Sequence, residues 1–412
     1  MNKNDFLENE GKRWQKNVAL FLVGQSVTLI GSSLVGYAIM WHVTLQTQSG
    51  VMMTIFTVAT MLPMFFISPF GGVWADRFNR KYLINIADAS IATVTLVIAL
   101  CFSLGTQSIY LLLVCAIMRS LGQGVQMPAV TALIPQITPE DQLVRVNGIN
   151  SSIQSLSMLG SPAIAGVLLS IAPLQTVLFI DVATAIIGIS ILLFFVKVPS
   201  KTAEEKELAS AKSYFTDMKD GINYIKGHSF IKRFFVVSAI STVLLTPAAL
   251  LAPLQVTRDF GADVWRLTAI ELAFSIGMLI GGLTIAAWGG FKNKTVTLVF
   301  GALIFGATSV GFGVFTNFWI YLACMGVCGL SVPIINTPVM SILQSKVEEG
   351  FMGRVFSVVA MISSLVMPLS MVLFGPLGDV IKIDFLMIGT GIGMAILSLY
   401  TLSDRKLRDA GR

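Results

Sequence analysis

The run GGVWADRFNRKYL, Gly71 to Leu83, carries Asp76, Arg77, Arg80 and Lys81 within six positions. The flanks are otherwise apolar: IFTVATMLPMFFISPF lies just before it, and INIADASIATVTLVIALCF, with Asp88 its one charge, just after it. Runs of about 18 or more apolar residues can each cross a hydrocarbon core of about 30 Å as a helix. The charged knot is then a short turn between two spans, where the chain leaves the hydrocarbon. Gly71 and Gly72, at its start, are expected to let neighbouring helices approach closely.

The same pattern covers the whole chain. Of its 412 residues 55% are hydrophobic and 12% charged, and the mean hydropathy is +0.80. A soluble fold has no interior large enough to hide so much apolar surface. About twelve spanning runs follow one another, from VALFLVGQSVTLIGSSLVGYAIMW to FLMIGTGIGMAILSLYTL. The reading is an all-α, multi-pass membrane protein. The polar start MNKNDFLENEGKRWQ argues against a cleaved signal peptide.

A net charge of +6 raises the question of nucleic acid. That partner is rejected, because the basic residues sit in short loops rather than on one face. They mark topology instead. With both termini inside, Arg77, Arg80, Lys81, Arg145, Lys292, Lys294, Lys346 and Arg354 all fall on the cytoplasmic side. The outer loops keep only Arg258, Arg266 and Lys382, each with an aspartate nearby. The expected location is the inner, cytoplasmic membrane, with the lipid bilayer as partner and a monomer as the working unit.

Cofactors and enzyme chemistry find no footing. The cysteines, Cys101, Cys115, Cys324 and Cys328, all lie inside apolar runs. Cys324 and Cys328 stand one helical turn apart, but no His or carboxylate joins them, so small packing residues are expected rather than a metal site. His42 and His228 read as interfacial residues. There is no Walker loop, no nucleophile elbow and no helical HExxH, which argues against an ATP-driven pump and a membrane hydrolase.

The apolar pattern breaks at PSKTAEEKELASAKSYFTDMKDGINYIKGHSFIK, Pro199 to Lys232. Residues 1–198 then form one six-helix half and 232–412 the other, with 199–231 as a cytoplasmic linker. Phe215, Met218, Ile222 and Ile225 recur at helical spacing, which predicts an amphipathic helix on the inner membrane face. QMPAVTALIPQ and NTPVMSILQSK resemble each other across the halves. Pro128 and Pro338 stand 210 positions apart, Arg145 and Arg354 209, Pro162 and Pro368 206. Ordered pairs at nearly one offset indicate parallel repeats, which place a substrate site between the halves and expose it to each side by rocking.

With those features in place, the knot is recognisable. Gly72, Asp76, Arg77, Arg80 and Lys81 match the signature loop of the major facilitator superfamily, G-x-x-x-D-R-x-x-R-K, with Asn79 where the family usually has glycine. The loop GGLTIAAWGGFKNK in the second half keeps glycines and lysines but lacks the Asp-Arg pair. RSLGQGVQMPA resembles the drug-antiporter motif built on a membrane arginine, here Arg119. LGSPAIAGV resembles the antiporter motif Gly-Pro-x-x-x-Gly through Pro162 and Gly166, with Ser161 in place of a glycine. The stretches RSLGQGVQMPAVTALIPQITPEDQL, INSSIQSLSMLGSPA, ELAFSIGMLIGG and MGRVFSVVAMISSLVMP are similar to the macrolide-efflux branch of the drug:proton antiporters. That resemblance implies export of small hydrophobic or cationic drugs against proton entry, with the signature loop gating the conformational change. An exporter of an endogenous compound such as a siderophore would show the same motifs. A non-transporting receptor would need no charges inside the membrane.

Charges within spans are costly and usually functional. Four qualify: Asp88, Arg119, Asp181 and Glu271. Arg119 lies about 15 Å deep at 1.5 Å per residue, and Asp88 about 10 Å. Asp181 and Glu271 lie one to two turns below the outer surface. All four are candidates for proton coupling or substrate binding. Glu271 is favoured for the proton, since with Arg266 read as an outer-loop residue no basic residue accompanies it within its span.

Overall fold

The computed structural model describes residues 13–199, 223–225, 227–348 and 351–411. The charged part of the linker, with Phe215, Met218 and Ile222, lies outside the described residues. All regular structure among the described residues is helical. Among the described residues eleven helices are long and apolar enough to cross a membrane, and Ser364–Val380 supplies a shorter twelfth apolar stretch.

In chain order the helices are α1 (Arg13–Thr47), α2 (Gly50–Arg77), α3 (Arg80–Ser103), α4 (Ile109–Ile137), α5 (Leu143–Ile171) and α6 (Leu174–Ser190). Then come α7 (Ser229–Leu250), α8 (Ala252–Asp259), α9 (Val264–Trp288), α10 (Lys294–Val314), α11 (Phe318–Lys346), α12 (Met352–Val380), α13 (Ile383–Ser403) and the short α14 (Arg405–Ala410). Leu251 breaks one span into α7 and α8, with Pro253 in the first turn of α8. Proline has no N–H to lose there and its fixed φ suits a helix start. Side-chain oxygens cap several turns: Asn79 accepts from Lys81 N, Asn293 from Thr295 N and Asn317 from Trp319 N.

Two compact units result. One holds Met1–His42 and Val58–Tyr214, the other Val43–Thr57 and Phe215–Arg412. Helices α1 and α2 thus pass from one unit into the other near their shared turn. In the first unit α3 packs against α4 and α6; in the second, α10 packs against α11 and α13, and α9 against α11. Small residues set these distances. A Cβ at Gly329 of α11 would strike the backbone of Phe274 on α9, and one at Gly277 the backbone of Gly326. Such contact between backbones is how apolar helices cohere where lipid supplies no hydrophobic drive. Thr and Ser residues inside the spans return their hydroxyls to carbonyls one turn back, as Thr28, Thr95 and Thr246 do. Exposed Ile86, Leu283 and Ile396 present an apolar exterior, as a lipid-facing surface requires.

Candidate functional site

The charged knot is a fastening for helix ends. Asn79 Oδ1 accepts from Lys81 N at 3.0 Å and starts α3. Arg80 reaches back to the end of α2, donating Nε to Ala75 O at 3.0 Å, and Nη1 to Ala132 O of α4 at 2.8 Å. Lys81 Nζ donates to Val196 O at 2.7 Å. Ala75 O is among the last four carbonyls of α2, which have no partner within the helix, and a cation there also meets the negative end of its dipole. Asp76, half exposed, lies 3.4 Å from Arg80 Nη2, and Arg77 is exposed. The two glycines differ. A Cβ at Gly71 would come within 2.9 Å of Val125 Cα on α4, whereas at Gly72 it would meet nothing within 4 Å. Close approach is therefore a property of Gly71, because one step along a helix turns the residue away from its neighbour.

Three of the four intramembrane charges fall in the first unit. Arg119 on α4 forms a buried ion pair with Asp181 on α6, their side chains 6% and 1% exposed. Nη1 also donates to Thr95 Oγ1 of α3 at 2.6 Å, and Nη2 to Ser32 O of α1 at 3.2 Å. Four helices are tied by one guanidinium. Gly31 makes this possible: a Cβ there would collide with Thr184 Oγ1 and lie 3.1 Å from Asp181 Oδ1. Asp88, 3% exposed on α3, sits within hydrogen-bonding reach of Gln126. Gln126 Nε2 is itself anchored on Gln25 Oε1 at 3.1 Å. Asn85, one turn from Asp88, is buried with neither amide atom bonded among the described residues. The first unit thus holds two buried carboxyls, of which only Asp181 pairs with the buried Arg119.

Glu271 belongs to the other unit, on α9. It is half-buried and takes no hydrogen bond or ion pair among the described residues. Pro162 and Gly166 lie buried on one face of α5, with Ser161 and Ala165 beside them. Among the described residues no group of three or more His, Cys, Asp or Glu is gathered as a metal would need.

Two networks went unnoticed in the sequence. Gln255 Nε2 donates to Asp384 Oδ1 at 2.7 Å and to Phe312 O at 2.8 Å, while Tyr321 Oη donates to Gln255 Oε1 at 3.1 Å. Asp379, at the end of α12, accepts from Gly50 N and Val51 N at the start of α2 and meets Arg258 of α8. A glutamine in a helix and an aspartate at a span end carry no sequence signal that separates them from ordinary interfacial residues.

Helices of spanning length, built from small-residue contacts and holding a buried, incompletely neutralised ionic cluster, define a multi-pass membrane protein of the transporter kind. The family model of the Major Facilitator Superfamily matches residues 21–371, and the chain belongs to that superfamily. It is 28% identical to Macrolide efflux protein A of Streptococcus pyogenes over 381 residues, 92% of this chain and 93% of that protein. It is 25% identical to the Multidrug efflux pump Tap of Mycobacterium tuberculosis (strain CDC 1551 / Oshkosh), covering 85% of this chain and 83% of that one. The crystal structure of the nucleoside transporter NupG shares the fold with a TM-score of 0.71 at 12% identity, covering 94% of this chain and 98% of that one. The chain is thus a multi-pass cell-membrane transporter of this superfamily.

Proposed function

We propose that the protein exports amphiphilic drugs of the macrolide kind by proton antiport, with alternating access and both termini in the cytoplasm. The observation that carries this reading is the charge balance of the first unit. Asp88 and Asp181 are buried, and Arg119 is the single buried cation among the described residues. A buried carboxylate without a counter-charge costs several kcal/mol, and a proton removes that cost. Arg119 and Asp181 are then the fixed pair, and Asp88 is a carboxyl that gains and loses a proton. Glu271, without any partner among the described residues, is the corresponding carboxyl of the second unit. The likeness to macrolide and multidrug efflux proteins supports drugs as cargo. The signature residues Gly72, Asp76, Arg77, Arg80 and Lys81 act on the conformational step, and Pro162 and Gly166 shape the helix that moves in it. The working unit is a monomer of two halves, 1–198 and 232–412, joined by 199–231.

The test is efflux from cells expressing the chain, screened over macrolides, lincosamides, dyes and siderophores. Macrolide efflux that stops when an ionophore collapses the proton gradient is the expected result. Efflux that survives the ionophore and fails on ATP depletion rejects proton coupling. Protection against none of the drugs, with siderophore export instead, rejects the cargo.

A further inference from the structure

Within the unit that contains Phe215–Arg412, α7, α10, α11, α12, α13 and α14 line a cavity of about 150 Å³, to which the exposed Asn336 and Met340 contribute. Its walls are apolar, formed by Phe234, Leu245, Leu298, Val339, Met340 and Val359. None of its described lining residues is charged. Several hydroxyls at its edge are already engaged: Thr242 donates to Ser238 O, Thr295 to Leu407 O and Thr401 to Leu397 O. Ser238 and Ser241 on α7, and Asn336 on α11, are different. Their side chains line the same space and take no partner among the described residues.

Size, charge and hydrogen bonding together restrict what can enter. Drug-sized ligands occupy pockets of about 300–1,000 Å³, so a whole macrocycle is too large. A cavity of about 150 Å³ accepts one six-membered ring. A cation or anion would meet no counter-charge among the described lining residues, which is costly. A plain hydrocarbon ring would leave two hydroxyls and an amide unpaired, each a loss if water is excluded. Serine hydroxyls and the asparagine amide both donate and accept, so they suit ring hydroxyls and ether oxygens alike.

We propose that this cavity is a subsite for one uncharged six-membered ring bearing hydroxyl or ether oxygens, carried as an arm of a larger amphiphile. Ser238, Ser241 and Asn336 bond the ring oxygens, and the apolar walls cover its carbon faces. The inference rests on the export reading for the larger amphiphile only; the preference for a neutral ring follows from the cavity itself.

The experiment places a thiol in the cavity by Ser241→Cys in the full-length protein in detergent, a change of nearly equal volume. Labelling rates are compared for cyclohexyl, n-octyl and trimethylammonium-ethyl methanethiosulfonate, with the unsubstituted protein as the baseline for its own cysteines. The cyclohexyl reagent is expected to react at least tenfold faster than the cationic one and faster than the octyl one. Equal or faster labelling by the cation overturns the proposal. Preference for the octyl reagent overturns it too, by showing a lipid-chain pocket. A macrolide carrying a neutral sugar is expected to slow labelling about tenfold, and the same macrolide with that sugar removed is not. Asn336→Leu, added to Ser241→Cys, should cut that protection about tenfold, as loss of one or two hydrogen bonds does. Ring preference without protection by any macrolide keeps the subsite and rejects macrolides as cargo. Equal protection by the sugar-free compound overturns the ring assignment.

Discussion

The Asp379 carboxylate at the end of α12 accepts the backbone N–H of Gly50, the first residue of α2, at 2.7 Å. It also accepts from Val51 N and Ser49 Oγ, both at 2.9 Å. An anion at a helix N-terminus satisfies donors that lack a partner within the helix and meets the positive end of the dipole. Arg258 Nη2 lies 2.6 Å from Asp379 Oδ1, and its Nε donates to Gln48 O at 3.1 Å. Gly50 and Gly375 lie backbone to backbone beneath this pair, too close for any side chain. The turn between α1 and α2 is thereby fastened to α8 and α12, inside the unit that holds Val43–Thr57 and Phe215–Arg412.

Asp379→Asn should loosen that turn. The amide keeps one acceptor but loses the charge that faces Arg258 and the helix end, a change of about 1 kcal/mol for a cap. Amide hydrogen exchange over residues 48–54 is expected to quicken roughly fivefold to tenfold. Arg258→Gln should do nearly the same, and the double variant little more, because both act on one network. Exchange rates that add fully in the double variant would show that the two residues work separately.

The fold was legible because apolar run length is a one-dimensional signal. The four intramembrane charges were legible for the same reason: any Asp, Glu or Arg stands out in such runs. Their pairing was not. Arg119 and Asp181 are 62 positions apart, and they become partners because α4 and α6 both pack against α3. Gly71 and Gly72 look alike in the sequence, yet helix phase gives only Gly71 a close neighbour. Asp379 was missed because its role depends on where the first turn of α2 lies, more than 300 residues earlier.

Breaking the Arg119–Asp181 pair from one side should be far worse than removing both partners. Arg119→Met leaves two buried carboxyls with no cation, a loss of about 3–5 kcal/mol. Thermal unfolding of purified protein should show a marked fall for Arg119→Met and for Asp181→Asn. The double variant Arg119→Met, Asp181→Asn should recover part of it, since no uncompensated charge of the pair remains. A double variant less stable than either single one would refute this charge-balance account.

Asp404 gives a pH-dependent contribution outside the spans. It caps α14, accepting from Lys406 N at 2.9 Å, and pairs with Arg233 Nη1 at 2.6 Å. Burial pushes its carboxyl up, but the Arg233 hydrogen bond and the Lys406 N–H outweigh that and hold it below the usual value of 3.8. A carboxyl lowered in the folded state contributes stability above its unfolded pKa and loses it as pH falls through the folded one. The wild type should therefore exceed Asp404→Ala by about 1 kcal/mol above pH of about 5. The gap should close as the medium becomes more acid than about pH 4. A gap that persists unchanged in acid would mean packing, not the charged cap, sets the difference.

Asp76→Asn should slow transport more than it weakens drug binding. Asp76 sits at the end of α2, half exposed and beside Arg80, among contacts that fasten helix ends. Affinity measured on purified protein is expected to stay within about twofold, as for an exposed pair of small worth. Transport should fall much further. A large loss of affinity with an intact transport rate would place Asp76 in the binding site instead.

Glu271→Gln is expected to uncouple drug export from the proton gradient. Glutamine keeps the shape of glutamate but cannot ionise, and its amide offers one acceptor oxygen and an NH2 donor where the carboxylate only accepts. In the second unit Glu271 has no ion-pair partner among the described residues, so a charge there is unsupported and a proton is its simplest neutraliser. A drug cation competing for the ionised form would give exchange with one carboxyl. The wild type should then release protons on binding drug, and Glu271→Gln should not. In vesicles, a pH jump should drive export by the wild type, while the variant should equilibrate drug down its own gradient only. The two measurements separate the residue from its neighbours. Proton release and gradient-driven export of wild-type size in Glu271→Gln would exclude it as the coupling carboxyl. The role would then pass to Asp88, a buried carboxyl of the first unit that takes no part in the Arg119–Asp181 pair.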